Sequence, residues 1–301
     1  MLRLLAACLI VLAAGCVAWA ALQVRRYPVS ELARHAPRRT ALMLQREAEA
    51  RRQGRRYAID THWVSLERIS PLLRRAVLIA EDDKFFSHGG FDWSEIREAA
   101  RKNLEKRRVV RGASTLTQQL AKNLYLGDRR TLTRKIEEAL LAVRLERALS
   151  KRRIFELYLN EIEWGDGIYG AEAAARRYFG IPASELDPRQ AVLLAAVIIN
   201  PRRYSVLEPS RRIEKRARMI ASRMRRRGLL TEDQYLAATG GVPPGPSLLE
   251  RLFGARPETT ATLADSAREA PAEPGPAVDS SSVPEATPDT VRSALKSLRS
   301  P

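Results

Sequence analysis

From residue 63 to about residue 238 apolar side chains recur mostly three and four positions apart, and no convincing run of strictly alternating apolar and polar residues interrupts them. A chain patterned this way buries helix faces against one another, so the expected fold class is mainly α. The flanking segments have different chemistry and set the domain plan: an apolar anchor over residues 1–26, a polar, Arg-rich stalk over 27–62, the helical domain over 63–240, and a tail over 241–301. The tail is rich in Pro, Ala, Ser, Thr and Glu and too poor in large apolar groups to repay ordering entropy, so it is expected to be disordered, with at most a short helix near 291–298. No internal repeat is present.

Residues 4–24 (LLAACLIVLAAGCVAWAALQV) carry no formal charge over 21 positions. As a helix they would be about 30 Å long, the thickness of a bilayer's hydrocarbon layer. The segment is therefore expected to be a transmembrane helix. Two other fates compete: cleavage after a small-x-small motif at Ala18-Trp19-Ala20, and lipidation at Cys16 through the imperfect lipobox Ala13-Ala14-Gly15-Cys16. Arg3 lies before the segment and Arg25 and Arg26 after it, so the flanking charges give no orientation. Cys8 and Cys16 are the only cysteines, which excludes a disulfide, a Cys metal site and a thiol nucleophile from the rest of the chain.

Lys and Arg number 52 against 35 Asp and Glu, a formal charge of +17. That balance fits a polyanionic partner and does not by itself choose among nucleic acid, anionic lipid and a phosphorylated substrate.

Three stretches carry candidate chemistry. In LLRRAVLIAEDDKFFSHGGFDW, Val77 and Leu78 make an apolar helix face that places Glu81 one turn later, before the chain turns at Gly89-Gly90. A partly desolvated carboxylate there would have a raised pKa and serve as a base; an exposed acidic helix end is the bland alternative, and His88 is equally readable as a structural hydrogen bonder. In GASTLTQQLAKNLYL, Ser114 or Thr115 caps a helix with an apolar stripe at Leu116, Leu120 and Leu124. Its spacing puts Gln119, Lys122 and Asn123 on one surface, a cradle for phosphate oxygens or simply a capped amphipathic helix. In RKIEEALLAVRLE, Glu138 shares a face with Leu141, Ala142 and Leu145, with Arg134 and Lys135 on the preceding turn, whereas Glu137 turns toward Arg144.

Taken in order, EDDKFFSHGGFDW, GASTLTQQLAKNLYL, RKIEEALLAVRLE, KRRIFELYLNEIEWGDGIYGAEAAARRYFG and QAVLLAAVIINP resemble the signature blocks of the peptidoglycan glycosyltransferases of family 51. These are the glycan-polymerising domains of bifunctional penicillin-binding proteins and their stand-alone relatives. The resemblance runs from about residue 63 to 226. Two positions depart from it: Phe155 stands where Leu is usual, and Ile181 where Lys often follows the YFG triplet.

The resemblance implies a lysozyme-like helical domain facing outward from a bacterial cytoplasmic membrane. The implied activity is polymerisation of lipid II, a disaccharide-pentapeptide on a polyprenyl diphosphate, into β-1,4 glycan with inversion. Carried over by block, Glu81 is the general base toward the acceptor sugar's 4-hydroxyl. Glu138 lies in the donor half and assists departure of the diphosphate directly or through a divalent metal, Mg or Mn. Lys122, Arg134 and Lys135 are implied as diphosphate cations, Ser114, Thr115, Gln119 and Asn123 as pocket residues, and Asp82, Phe85 and His88 as neighbours that hold Glu81. No organic cofactor and no nucleic acid is implied; the growing strand, the membrane and proteins of cell-wall synthesis or division are the expected partners. A transpeptidase activity is not expected, because the S-x-x-K at Ser293-Ala294-Leu295-Lys296 lacks its companion motifs. Two other classes stay open on the residues alone. A glycan-cleaving enzyme also uses two carboxylates, and a basic tethered binding module also accounts for the charge.

Overall fold

The computed structural model describes residues 2–106, 114–128 and 131–241, except for the side chains at 2–6, 9 and 13. The expected tail beyond Gly241, the S-x-x-K and the Gly112-Ala113 start of the second block lie outside the described residues. The described elements form one compact unit, and they are mainly helical: α1 (Leu2–Arg25), α2 (Ala41–Arg52), α3 (Pro71–Glu81), α4 (Trp93–Glu105), α5 (Leu116–Ala121), α6 (Leu132–Ala148), α7 (Lys151–Glu161), α8 (Ala171–Phe179), α9 (Pro188–Val197), α10 (Arg211–Arg226) and α11 (Glu232–Thr239).

The centre is α9. Every residue from Ala191 to Val197 is buried, so the helix is apolar all round and must be covered on all sides. It packs against α3, α10 and α11. Helix α3 starts cleanly, with Ser70 accepting from Leu72 N at 3.3 Å and Pro71 in the first turn, where its missing N–H costs nothing. It buries Leu73, Ala76 and Val77, one stripe at intervals of three and four. A second layer consists of α5, α6 and α7, with Leu116, Leu120, Leu141, Leu145, Ile154 and Tyr158 fully buried between them.

Three short strands accompany the helices: β1 (Asp60–Thr61), β2 (Glu163–Gly165) and β3 (Ile168–Tyr169), in the order β1-β3-β2, with β1 parallel and β2 antiparallel to β3. Strands of two and three residues are too short to show an alternating pattern, so none was legible. They tie the entry of the domain to the end of α7. Asn160 does the same work alone: its Oδ1 accepts from Val64 N and its Nδ2 donates to Val64 O, each at 3.0 Å. Gly170 sits at φ +87°, where an added Cβ would come within 2.7 Å of Asn160 O, so the turn into α8 requires glycine.

Residues 27–62 are not a free stalk. Helix α2 buries Leu42, Met43 and Ala50. Arg46 of α2 reaches Glu49 at 3.0 Å and, across the fold, Glu163 at 3.4 Å, and Arg39, just before the helix, reaches Glu47 at 2.6 Å. The reading as a spacer came from a polar composition whose counter-charges lie far along the chain.

Helix α1 carries the uncharged N-terminal segment, and its last turns rest on α6, where Ala20 and Val24 are buried. Among the described residues no helix is long and apolar enough to cross a membrane. Membrane insertion of α1 is therefore an expectation from its sequence.

Candidate active site

Helix α3 ends at Glu81, and the ending is what exposes the carboxylate. Asp82 caps the helix with extended backbone, and its own carboxylate accepts from Leu116 N at 2.9 Å, the first residue of α5. The C-terminus of one helix is thereby fastened to the N-terminus of another. His88 donates from Nε2 to Asp82 at 2.9 Å while its Nδ1 accepts from Gly90 N at 3.2 Å, a pairing that the neutral ring satisfies. Thr115 closes the junction by forming a capping box with Gln118 and donating to Gly90 O at 2.7 Å.

Glu81 projects from this junction with both oxygens engaged. Oε1 meets Arg216 of α10 at 2.7 Å, and Oε2 accepts from Gln119 Nε2 at 3.0 Å. Gln119 in turn accepts from the buried Tyr158 hydroxyl at 3.1 Å, which fixes which end of its amide faces the acid. Burial pushes the Glu81 pKa up; Arg216, Gln119 and Lys122 oppose that rise without cancelling it.

The second acid lies on α6. Glu138 is 2% exposed, on the face it shares with the buried Leu141, Ala142 and Leu145. Arg134, one turn earlier, bonds one oxygen at 2.7 Å, and Lys135 bonds the other. Lys135 also reaches Ser114 Oγ at 2.9 Å and so links α6 to the start of α5. A buried carboxylate held by two cations is the arrangement that lets an ionised group stay inside a protein.

Glu81 and Glu138 line one cleft of about 1140 Å³. Asp82, Ser114, Thr115, Gln119, Lys122, Arg134 and Lys135 line it too. Three of the candidate site residues do not. Phe85 is fully buried and packs on Phe155, with Lys151 Nζ 4.2 Å from its ring centre. His88 is spent on Asp82. Asn123 is buried: at 100° per residue it lies beside the stripe Leu116, Leu120 and Leu124, whereas Gln119 and Lys122 keep to the cleft side, and residues 122–126 close the helix in a π-helical turn with Gly127 N bonding Lys122 O at 2.9 Å.

The sequence reading missed the wall contributed by α10. Arg216, Met219, Arg223, Arg226 and Arg227 line the cleft. The signal was available: at 100° per residue these positions fall within one arc, adjacent to the buried stripe Ile213, Ala217, Ile220, Ala221 and Met224. Arg227 is committed to an ion pair with Asp83. Ile198 and Ile199, just after α9, add an apolar patch to the same wall.

A divalent metal does not fit Glu138 as it stands. Both its oxygens are held by cationic side chains, and among the described residues no group of three His, Cys, Asp or Glu side chains is arranged to hold a metal ion.

The transglycosylase family profile matches residues 48–225. A biosynthetic peptidoglycan transglycosylase of Laribacter hongkongensis is 50% identical over 188 residues, 62% of this chain and 82% of its own length. One from Nitrosomonas eutropha is 49% identical over 188 residues, covering 62% and 77%. One from an Azoarcus species is 56% identical over 142 residues, covering 47% and 62%. The matched stretch contains both cleft acids and most of α10, and on it the chain belongs to the transglycosylase family.

Proposed function

We propose that this transglycosylase polymerises lipid II into β-1,4 glycan, with Glu81 as the general base and Glu138, through its two cations, as the donor-side group. Glu81 takes the proton of the acceptor sugar's 4-hydroxyl as that oxygen bonds the donor's anomeric carbon. The bond from that carbon to the diphosphate oxygen breaks on the opposite face, and its electron pair leaves with the diphosphate. The configuration inverts once. Negative charge grows on the leaving group, and Arg134 and Lys135 are already ordered beside it, so they need little reorganisation in the transition state.

The observation that supports this reading is the different company of the two acids in one cleft. A raised pKa at Glu81 alone suits a hydrolase acid as well as a polymerase base. A second acid locked between Arg134 and Lys135 does not suit a neutral sugar leaving group, which requires a proton; it suits an anion. No step is assigned to a metal, since Glu138 has no free oxygen to offer one.

Residues 4–24 support a membrane anchor that keeps the domain beside its lipid-borne substrate, on the outer face of the cytoplasmic membrane. The deciding experiment gives the full-length protein either lipid II or finished cell wall, with and without chelator. Glycan made from the first and no fragments released from the second is the expected result, with Glu81→Gln and Glu138→Gln both severely impaired. Release of fragments from finished wall would replace polymerisation with cleavage.

A further inference from the structure

A cleft that releases an anion must keep its own carboxylates from repelling that anion, and several line it that take no part in the proposed chemistry. Asp83 is paired with Arg227, and Asp92 caps α4. Asp128 lies nearest along the chain to the donor-side cations. Thr131, which caps α6, is three residues on, at most about 11 Å of chain away, and Arg134 and Lys135 follow in the first turn. The Asp128 carboxylate is half exposed and lines the cleft, so an unpaired charge there would act against a diphosphate.

Helix α2 holds Asp128 by both its backbone and its side chain. Gln45 Oε1 accepts from Asp128 N at 2.7 Å, while Gln45 Nε2 donates to Glu49 at 2.7 Å, which fixes which end of the amide faces Asp128. Gly127, at φ +68°, makes the approach possible, because an added Cβ would run into Gln45 Oε1. Arg46 Nη2 donates to Asp128 Oδ2 at 3.4 Å. The Arg46 side chain is only 11% exposed and also meets Glu49 and Glu163, so its guanidinium is fixed before any substrate arrives. Both residues precede the stretch that matches the transglycosylase profile, residues 48–225. We propose that Gln45 and Arg46 are positioning residues of the transfer reaction: they keep the Asp128 carboxylate paired and off the path of the departing diphosphate. This role rests on the reading of Arg134 and Lys135 as the donor-side cations. Arg46 acts through Asp128, so Asp128→Asn removes the need for the pairing.

The test follows polymerisation of lipid II by the full-length protein in detergent, with a melting curve for each variant. Arg46→Gln should lower kcat/KM about tenfold, the effect of an unpaired charge a few ångströms from the phosphates at the effective dielectric of a protein surface. Adding Asp128→Asn should return kcat/KM to within about twofold of the wild type, while the melting temperature stays at the Arg46→Gln value because Glu163 still lacks Arg46. Arg46→Lys keeps the charge and should stay within about threefold of the wild type. Gln45→Ala leaves the ion pairs of Arg46 with Glu49 and Glu163 in place, so it decides the matter if Arg46→Gln does not fold. It should lower kcat/KM about threefold and be rescued by the same Asp128→Asn. The proposal is overturned if Asp128→Asn fails to raise kcat/KM in the folded variants, which would make α2 a structural support only, or if the α2 variants polymerise as the wild type does. Either result leaves the polymerase reading intact. A wild type that makes no glycan from lipid II removes both.

Discussion

Glu81, the proposed base, shows how opposed effects of unequal size set the pKa of one side chain. Desolvation raises its pKa, and Arg216, the Gln119 amide and Lys122 pull it back, with Tyr158 fixing the amide from behind. The net shift is upward, so the ionised, working form disappears as pH falls through a value above the ordinary carboxylate range. The acid limb of kcat/KM should therefore lie above pH 4.5, the ordinary value for Glu. Replacing Arg216 with Gln removes the largest opposing cation and should move that limb to higher pH, whereas a merely structural arginine would lower the rate at every pH alike. Glu81→Gln, which cannot accept the proton, is expected to lose about 10²- to 10⁴-fold in turnover while binding lipid II with little change; retention of even a tenth of the rate would move the base elsewhere. The place of Glu81 at the end of an apolar helix face was legible from its neighbours. Arg216 was not singled out, because its partner is 135 positions away and only its place in the cationic arc of α10 marked it.

Helices α3 and α5 meet end to end, and the joint depends on Asp82. Its carboxylate takes an N–H that the α5 N-terminus would otherwise leave unpaired, which is helix capping done from another element. Asp82→Asn should cost about 1–2 kcal/mol in denaturant unfolding and loosen Glu81 and Gln119 together. Helix α7 supplies a different test. Burial raises the pKa of Glu161, near its end, to about 8, with Arg153 opposing. The folded protein thus holds a proton that the unfolded chain gives up near its ordinary value of 4.5. Its contribution to stability is complete below that value and declines until pH passes about 8, at about 1.4 kcal/mol per unit, beyond which it is constant. Glu161→Gln keeps the neutral shape, so the difference in unfolding free energy between variant and parent should grow in the variant's favour across that window. A difference that stays flat with pH would mean Glu161 is ionised in the fold. At this scale the sequence spoke through periodicity and caps: Glu138 with Leu141, Ala142 and Leu145 came out as read. The π-helical turn at Lys122 and the short strands left no periodic trace, so the strands went unseen, and Asn123 was grouped with the cleft although it borders the buried stripe.

For the molecule as a whole, long-range charge pairing is what composition concealed. Residues 27–62 resemble a solvated spacer until Arg46 finds Glu163 across the fold, and α1 resembles an independent anchor until its C-terminal end is followed onto α6. There Arg144 donates to the backbone oxygens of Val24 and Tyr27, the second at 3.1 Å, and Tyr27 packs on Tyr125 with ring centres 4.7 Å apart. Each of these oxygens also accepts a backbone N–H, Val24 O from Tyr27 N at 3.3 Å and Tyr27 O from Val29 N at 2.9 Å, and Arg144 adds a charged donor to both from the helix that carries Glu138. The end of α1 is therefore linked through Arg144 to the helix that forms one wall of the cleft. Arg144→Ala removes these two charged hydrogen bonds and should cost about 1–3 kcal/mol when the full-length protein is unfolded in detergent. The same substitution in a chain lacking residues 1–26 should cost less, because Val24 and its carbonyl are gone. Equal losses in the two backgrounds would show that Arg144 acts within the domain alone and that α1 is not clamped to it.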